Sequence, residues 1–127
     1  MPHLYTSRVG LALAMLPAVF GANALLRPEA ALASVQFPVP TDAQSRKPSG
    51  SLMRIYGFRN VAISYLLTLI WSTGDNKLQG YGLAVGLGMS LVDGLISRHQ
   101  IGGGEWNHWA FAPVISGVCA DLFGWFD

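Results

Sequence analysis

Charged side chains are scarce in this sequence of 127 residues. Asp, Glu, Lys and Arg make up 12% of it, whereas hydrophobic residues make up 51%. A soluble domain averages about 25% charged residues, so polar side chains are too few to cover a water-exposed surface. The net charge is +1, and Arg46 and Lys47 form the basic doublet. This composition predicts an integral membrane protein and argues against a nucleic-acid partner.

Cysteine is almost absent, since Cys119 is the single one. One cysteine excludes an intrachain disulfide and a paired-cysteine metal site. It lies in an apolar run, where a small packing role is expected. The sequence also lacks a phosphate-binding loop, and we expect no cofactor and no metal.

Four long apolar segments are present instead. They cover residues 9–26, 52–72, 78–96 and 109–126. Each is close to the roughly 20 residues that cross a bilayer as a helix. The sequence therefore predicts an all-α fold: one domain over residues 1–127, folded as a four-helix transmembrane bundle. Alternatively, the first segment is a signal peptide, because residues 22–24 resemble a cleavage site.

The connections differ in length. The first loop is long and rich in proline, and it can begin with a short helix that has Pro28 at its first position. Residues 74–77 form a tight turn, which predicts an antiparallel hairpin of helices two and three. Lys and Arg are more frequent in the first and third loops, so both loops are expected on the cytoplasmic side.

Small residues recur at every fourth position in three of the segments, which is typical of helix contacts in membranes. The stripes are Gly10, Ala14, Ala18 and Ala22; Gly82, Gly86, Ser90 and Gly94; and His108, Ala112, Ser116, Ala120 and Gly124. They predict a compact bundle and leave a homo-oligomer open.

Two charges lie inside apolar segments, Arg59 in the second and Asp93 in the third. A charge at the bilayer centre costs about 2.5–3.5 kcal/mol on insertion scales, so such residues are usually paired or functional. The topology brings most of the intramembrane polar residues to one depth, on the side of the first and third loops. Asp121 is the exception, and we expect it to pair with Arg8.

This polar cluster suits proton-transfer chemistry on a lipophilic small molecule. The candidate catalytic residues are Asp93, Arg59, His108, Tyr56 and Glu105. The candidate substrate-binding residues are Asn60, Asn23, Trp106 and Trp109. Each also has a structural interpretation: an ion pair between helices for Arg59 and Asp93, a helix-end role for His108 and Glu105, and an aromatic belt for Tyr56.

The sequence resembles a family of small four-helix integral membrane proteins, largely uncharacterised, from fungi and bacteria. The resemblance rests on residues 54–60 (Arg-Ile-Tyr-Gly-Phe-Arg-Asn), on 74–77 leading to 92–94 (Val-Asp-Gly), and on 105–113 (Glu-Trp-Asn-His-Trp-Ala-Phe-Ala-Pro). Similar fungal proteins from polyketide or terpenoid clusters are assigned as epoxide hydrolases or cyclases that act after a flavin monooxygenase.

That resemblance implies a membrane enzyme, in the endoplasmic reticulum, that hydrolyses or cyclises an epoxide. A soluble epoxide-hydrolase design uses an Asp–Arg–Asp group, in which Arg59 and Asp93 could fill two roles. Asn60 stands where a second acid would complete the set, so His108, Glu105 or Tyr56 would have to replace it. The expected partners are a lipophilic substrate and membrane lipid. The alternatives are a non-catalytic scaffold, a lipid-binding protein or a small transporter.

Overall fold

The computed structural model describes residues 3–127, which form α-helices joined by short connections and contain no β-strand. The helices are α1 (Leu4–Leu26), α2 (Pro28–Ser34), α3 (Ala43–Ser72), α4 (Asn76–Ile101), α5 (Trp106–Trp109) and α6 (Ala112–Leu122). The prediction of an all-α fold is confirmed over these residues.

Helices α1 and α3 form the most extensive helix pair of the bundle. They cross closely at Gly21 and Gly57, where a Cβ built on Gly57 would lie 2.5 Å from the Gly21 carbonyl oxygen. Further along, the Thr68 hydroxyl lies 3.6 Å from the Met15 sulfur. Residue numbers rise along α1 while they fall along α3, so the two helices are antiparallel. Small residues let the backbones approach, as in other closely packed helix pairs.

The hairpin predicted between the second and third segments is present. Helix α3 ends at Ser72, and Asp75 caps α4 by accepting a hydrogen bond of 2.9 Å from the Leu78 amide. Gly74 has a φ of 74°, a backbone conformation that glycine adopts without steric cost. This short turn makes α3 and α4 antiparallel neighbours.

The first loop is shorter than the sequence suggested. The helix expected at Pro28 is confirmed as α2, but α3 begins at Ala43 rather than residue 52. Asp42 explains the early start, because its side chain accepts a hydrogen bond of 2.9 Å from the Ser45 amide and so caps the helix. Pro48 lies in the second turn of α3.

The fourth segment is not one long helix. Gly102 ends α4 with a φ of 70°, Gly104 has a φ of 73°, and Pro113 lies in the first turn of α6. Gly102 and Gly104 lie between α4 and the short α5, residues 110–111 lie between α5 and α6, and the segment predicted over 109–126 contains the 11-residue α6 as its helix. At 1.5 Å per residue, α6 is only about 16 Å long, shorter than the hydrocarbon thickness of about 30 Å.

Two of the described helices, α1 and α4, are long and apolar enough to cross a membrane. The expected bundle of four full-length transmembrane helices is therefore supported only in part. Helix α3 is longer than either, but its polar first turns and its internal charges lower its hydropathy. The helices that correspond to the first three segments are longer than expected, and α6 is shorter than the fourth segment.

Several polar side chains are buried in the bundle, whereas many large apolar side chains are exposed on its surface. The buried polar side chains are Asn60, Ser64, Gln79 and Ser97. The exposed large hydrophobic residues of α3 and α4 include Leu52, Ile55, Phe58, Tyr65, Leu66, Leu69, Tyr81, Val85, Val92, Leu95 and Ile96. Large apolar patches on a surface mark contact with lipid or with another protein.

The contacts define two ends of the bundle. The site end carries residues 27–42 and 102–111, and the opposite end carries the α3–α4 turn. At the opposite end His3 Nδ1 lies 3.1 Å from an Asp121 carboxylate oxygen, and His3 Nε2 lies 3.3 Å from Asp127. The expected Arg8–Asp121 pair is wrong, because the residue that precedes α1, rather than one on its second turn, reaches Asp121.

Candidate functional site

Arg59 and Asp93 form an ion pair between α3 and α4 near the site end. Arg59 Nη2 donates a hydrogen bond of 2.9 Å to an Asp93 carboxylate oxygen. The Asp93 side chain is 17% exposed and the Arg59 side chain 43%. The pair orients the carboxylate from one side and leaves part of the guanidinium accessible at the surface of the bundle.

Tyr56 and Asn60 extend this pair along α3. The Arg59 guanidinium carbon lies 4.9 Å from the centre of the Tyr56 ring, within the range of a cation–π contact. Asn60 lies one turn after Tyr56 on the same helix. Asn60 is buried against α1, because a Cβ on Gly21 would lie 3.0 Å from its Cβ. Tyr56 therefore contacts the Arg59 guanidinium, whereas Asn60 faces α1.

Asn23 approaches the same end of the bundle from α1. The Asn23 residue is half-buried, and its backbone carbonyl oxygen accepts a hydrogen bond of 2.7 Å from the Arg27 backbone amide. This bond closes the last turn of α1. A substrate-binding role for Asn23 stays a prediction.

Glu105 and His108 lie on the short segment that follows α4. Each has one buried polar atom, Glu105 Oε2 and His108 Nε2, with no hydrogen-bond partner among residues 3–127. A buried polar atom without a partner costs about 1–3 kcal/mol, so two of them in one turn suggest a site that awaits a ligand or water. Burial lowers the pKa of the His108 imidazole, against a smaller opposing effect of Asp93.

The lowered pKa has a chemical consequence. A histidine with a pKa below 6.5 is neutral at pH 7, so His108 can accept a proton there. Asp93 and Arg59 both act on the imidazole through their charges. No hydrogen bond or ion pair joins the His108 imidazole to Asp93 or Arg59 within residues 3–127, so the prediction that the three side chains share one pocket stays a prediction.

Trp106 and Trp109 cover a different side of α4 from the one that carries the Arg59–Asp93 ion pair. Their ring centres lie 5.8 Å apart with the planes at 82°, an edge-to-face contact. Trp109 Nε1 donates a hydrogen bond of 3.2 Å to the Leu91 carbonyl oxygen. The indole lies directly over Gly94, where no Cβ would fit. Gly94 therefore serves the packing of Trp109, which the sequence stripe predicted only as a helix contact.

Two shallow grooves flank α4. The α4–α5 groove has a volume of about 310 Å³ and is lined by Leu87, Leu91, Trp106, Trp109, Ala112, Pro113 and Ser116. The α3–α4 groove has a volume of about 410 Å³ and is lined by Phe58, Arg59, Ala62, Ile63, Leu66 and Met89. The sequence suggested Trp106 and Trp109 as substrate-binding residues but predicted neither groove, and the lining of the second is signalled only by apolar residues at every fourth position of α3.

The structure thus joins Arg59 to Asp93 by an ion pair and to Tyr56 by a cation–π contact, whereas His108 makes no hydrogen bond or ion pair with them within residues 3–127. Trp106 and Trp109 line a separate groove, and Asn60 faces α1. Within the described part of the chain, no group of three or more His, Cys, Asp and Glu side chains is placed to hold a metal ion.

These features define an all-helical protein with a polar site near one end of an apolar bundle. The chain belongs to the family described as domain of unknown function (DUF4267), whose match covers residues 14–122. The match extends from the middle of α1 to the end of α6 and so includes the whole site. No curated protein and no solved structure matches the chain.

Proposed function

We propose that the protein is a membrane-embedded enzyme that opens an epoxide on a lipophilic polyketide or terpenoid intermediate, by hydrolysis or cyclisation. The observation that carries the proposal is the Arg59–Asp93 ion pair, which lies in an apolar bundle near the same end as the unpartnered polar atoms of Glu105 and His108. A carboxylate, a neutral imidazole and a phenol near one another can take up and donate protons in one reaction.

The surface of the bundle supports a membrane location. Leu52, Ile55 and Phe58 on α3 are each about two-thirds exposed, and burying such side chains in lipid is worth about 1.5–3 kcal/mol each. In the proposed arrangement α1, α3 and α4 cross the bilayer. Residues 110–126 complete a fourth crossing, and α5 lies at the membrane surface. Retention in the endoplasmic reticulum is part of the proposal.

The proposed reaction is balanced as follows. Asp93 takes a proton from water while the water oxygen forms a bond to one epoxide carbon. The bond from that carbon to the epoxide oxygen breaks, and the oxygen takes a proton from Tyr56 or Glu105. The product is a diol. Transfer of the proton from Asp93 to the donor, relayed by His108, restores the enzyme. In cyclisation a hydroxyl of the substrate replaces water.

Arg59 holds Asp93 in place during this step, and its remaining N–H groups can bind the epoxide oxygen as negative charge develops. A substrate-binding role for Trp106 and Trp109 stays a prediction, because they line a separate groove from the one that Arg59 lines. No cofactor or metal is required by these steps.

The experiment is a conversion assay on the full chain in nanodiscs, with a lipophilic epoxide in heavy-oxygen water. We expect a diol with one heavy oxygen, or an unlabelled cyclic ether if the substrate carries a hydroxyl. Asp121→Asn is a matched control, because it removes a carboxylate at the opposite end. No conversion of polyketide-like or terpenoid-like epoxides by folded wild-type protein would contradict the proposal.

A second candidate is a non-catalytic scaffold or lipid-binding protein. It is favoured by the position of the ion pair, which joins two neighbouring helices and would stabilise them without any chemistry. On this interpretation Asp93→Asn lowers thermal stability, and the protein converts no epoxide.

A further inference from the structure

Helices α3 and α4 touch at two levels and separate between them. At the first level a Cβ on Gly82 would lie 2.8 Å from the Leu67 side chain. At the second level Arg59 and Asp93 form their ion pair. Between these levels lies Gly86, and a Cβ built there meets no atom within 4 Å. At about 100° per residue, Gly82, Gly86 and Asp93 share one face of α4, so the open space at Gly86 faces α3.

The α3–α4 groove lies next to this gap, because Met89, three residues after Gly86 on α4, lines the groove. Phe58, Ala62 and Leu66 follow one another at four-residue intervals on α3, so they form one stripe along the helix. From Arg59 to Leu66 the helix rises by about 10 Å. The groove volume of about 410 Å³ falls within the range of about 300–1,000 Å³ that small-ligand sites occupy.

The groove is apolar along its length and polar at the Arg59 end. A guanidinium carries five N–H donors and no acceptor. Among residues 3–127, the hydrogen bond of Arg59 to Asp93 uses Nη2. Further donors therefore remain at the end of the groove, where an oxygen acceptor of a ligand would be bound. Phe58 is 64% exposed and Leu66 49%, so the groove opens sideways, toward the lipid in the proposed membrane arrangement.

We infer that the α3–α4 groove binds the hydrocarbon chain of an elongated epoxide that enters from the bilayer, with the epoxide oxygen held at Arg59. This inference rests on the proposed function and adds where the substrate lies and what shape it has. An unbranched or methyl-branched chain suits a groove bounded by two helices about 10 Å apart or less. A wide fused-ring body does not.

The test uses leucine substitutions at two glycines of α4. Gly86→Leu puts a side chain into the gap next to the groove, where we expect it to narrow the groove, and Gly88→Leu is the matched control, because the two positions lie about 200° apart around the helix. A Cβ on either glycine meets no atom within 4 Å, and leucine is the better helix former by several tenths of a kcal/mol. Both variants should fold. Ala62→Leu, on the α3 wall, is a second blocking variant.

The probe is a straight-chain terminal epoxide with a photoreactive diazirine in its chain, added to the full-length protein in nanodiscs. Mass spectrometry then locates the label. In wild type and Gly88→Leu we expect labelling on residues 58–66 and at Met89. In Gly86→Leu and Ala62→Leu we expect labelling at least about tenfold weaker, a loss of about 1.4 kcal/mol of binding free energy. Thermal unfolding of each variant shows that it is folded.

Two results would overturn the inference. One is equal labelling of Gly86→Leu and wild type. The other is equal labelling, with the same dependence on Gly86, by the diazirine alkane that lacks the epoxide, because the groove would then hold any lipid chain. Turnover by Asp93→Asn is measured in parallel. If it stays at the wild-type rate while Gly86→Leu loses labelling, the proposed catalysis fails and the groove assignment stands.

Discussion

The Gly21 carbonyl oxygen occupies the space that a side chain on Gly57 would need, 2.5 Å from a Cβ built there. The Gly57 carbonyl oxygen stands in the same relation to Gly21. This reciprocal contact sets the distance between α1 and α3 at the site end. It thereby determines where Tyr56, Arg59 and Asn60, which lie within three residues of Gly57, stand relative to α1.

Gly57→Ala should accordingly destabilise the protein. A methyl group would meet two backbone atoms of α1 and the Ala24 Cβ, none of which can move aside alone, and overpacking of this kind costs about 1–3 kcal/mol. Gly88→Ala is the control, since its Cβ meets nothing within 4 Å and alanine favours a helix by about 1 kcal/mol. Thermal unfolding in detergent measures both. Equal midpoints for Gly57→Ala and wild type would contradict the close contact.

The ion pair gives a second prediction, tested by a double-mutant cycle. Arg59→Met leaves the mostly buried Asp93 carboxylate without its partner. Losing one partner costs about 3–5 kcal/mol in a buried pair, and an exposed pair contributes under about 1 kcal/mol. Arg59 is 43% exposed, so we expect a loss of about 1–3 kcal/mol between these limits.

Adding Asp93→Asn to Arg59→Met should recover part of that loss, because no unpaired charge then remains. The readout is the free energy of unfolding of the two single variants and the double variant. Strictly additive losses would show that the two side chains do not interact.

The sequence was sufficient to predict the Arg59–Asp93 pair and the α3–α4 hairpin. Two charges in apolar segments need partners, and a four-residue turn leaves few ways to connect two helices. It was also sufficient for α2, since Pro28 is typical of a helix start. These features depend on residues close together in the sequence, or on the high cost of an unpaired charge in an apolar segment.

Other features could not be predicted because they depend on helix rotation and on tertiary contacts. The stripe from Gly10 to Ala22 predicted only part of the contact face of α1, because Gly10 and Ala14 are buried, whereas Ala22 is exposed and Gly21 makes the contact with α3. The pairing of Asp121 with His3 depends on the same rotation. The break between α5 and α6 had a local signal in Pro113, but the apolar composition of the segment outweighed it.

Stability should depend on pH through His3 at the opposite end. The hydrogen bond with Asp121 raises the His3 pKa above its ordinary value of 6.5, with Asp127 adding to the effect. A raised pKa in the folded state means that the stabilising charge is fully present below pH 6.5. It is lost as the pH rises through the folded-state pKa.

We therefore expect wild type to melt at a higher temperature than His3→Gln at pH 6, with the difference shrinking as the pH rises toward 8. Comparing the two proteins at each pH cancels the titration of other groups. His99→Gln, at an exposed position of α4, is the control and should follow wild type. A difference that grows with pH would contradict the ion pair.

Activity should depend on pH through His108. Burial lowers its pKa from 6.5, so the neutral form required for the proton relay persists to below pH 6.5. We expect kcat/KM to fall only on the acid side of that value. In His108→Gln this acid-side fall should disappear along with most of the rate. An unchanged profile in His108→Gln would remove the imidazole from the reaction.

The most direct test of the central claim is the turnover of Asp93→Asn on a lipophilic epoxide, in microsomes with matched expression. The substitution keeps the shape of the side chain and removes the base, so we expect kcat to fall by about 10²–10⁴-fold. Asp121→Asn should keep kcat near the wild-type value. If Asp93→Asn and His108→Ala both express normally and turn over at the wild-type rate, the site is not catalytic, and the Arg59–Asp93 pair is structural.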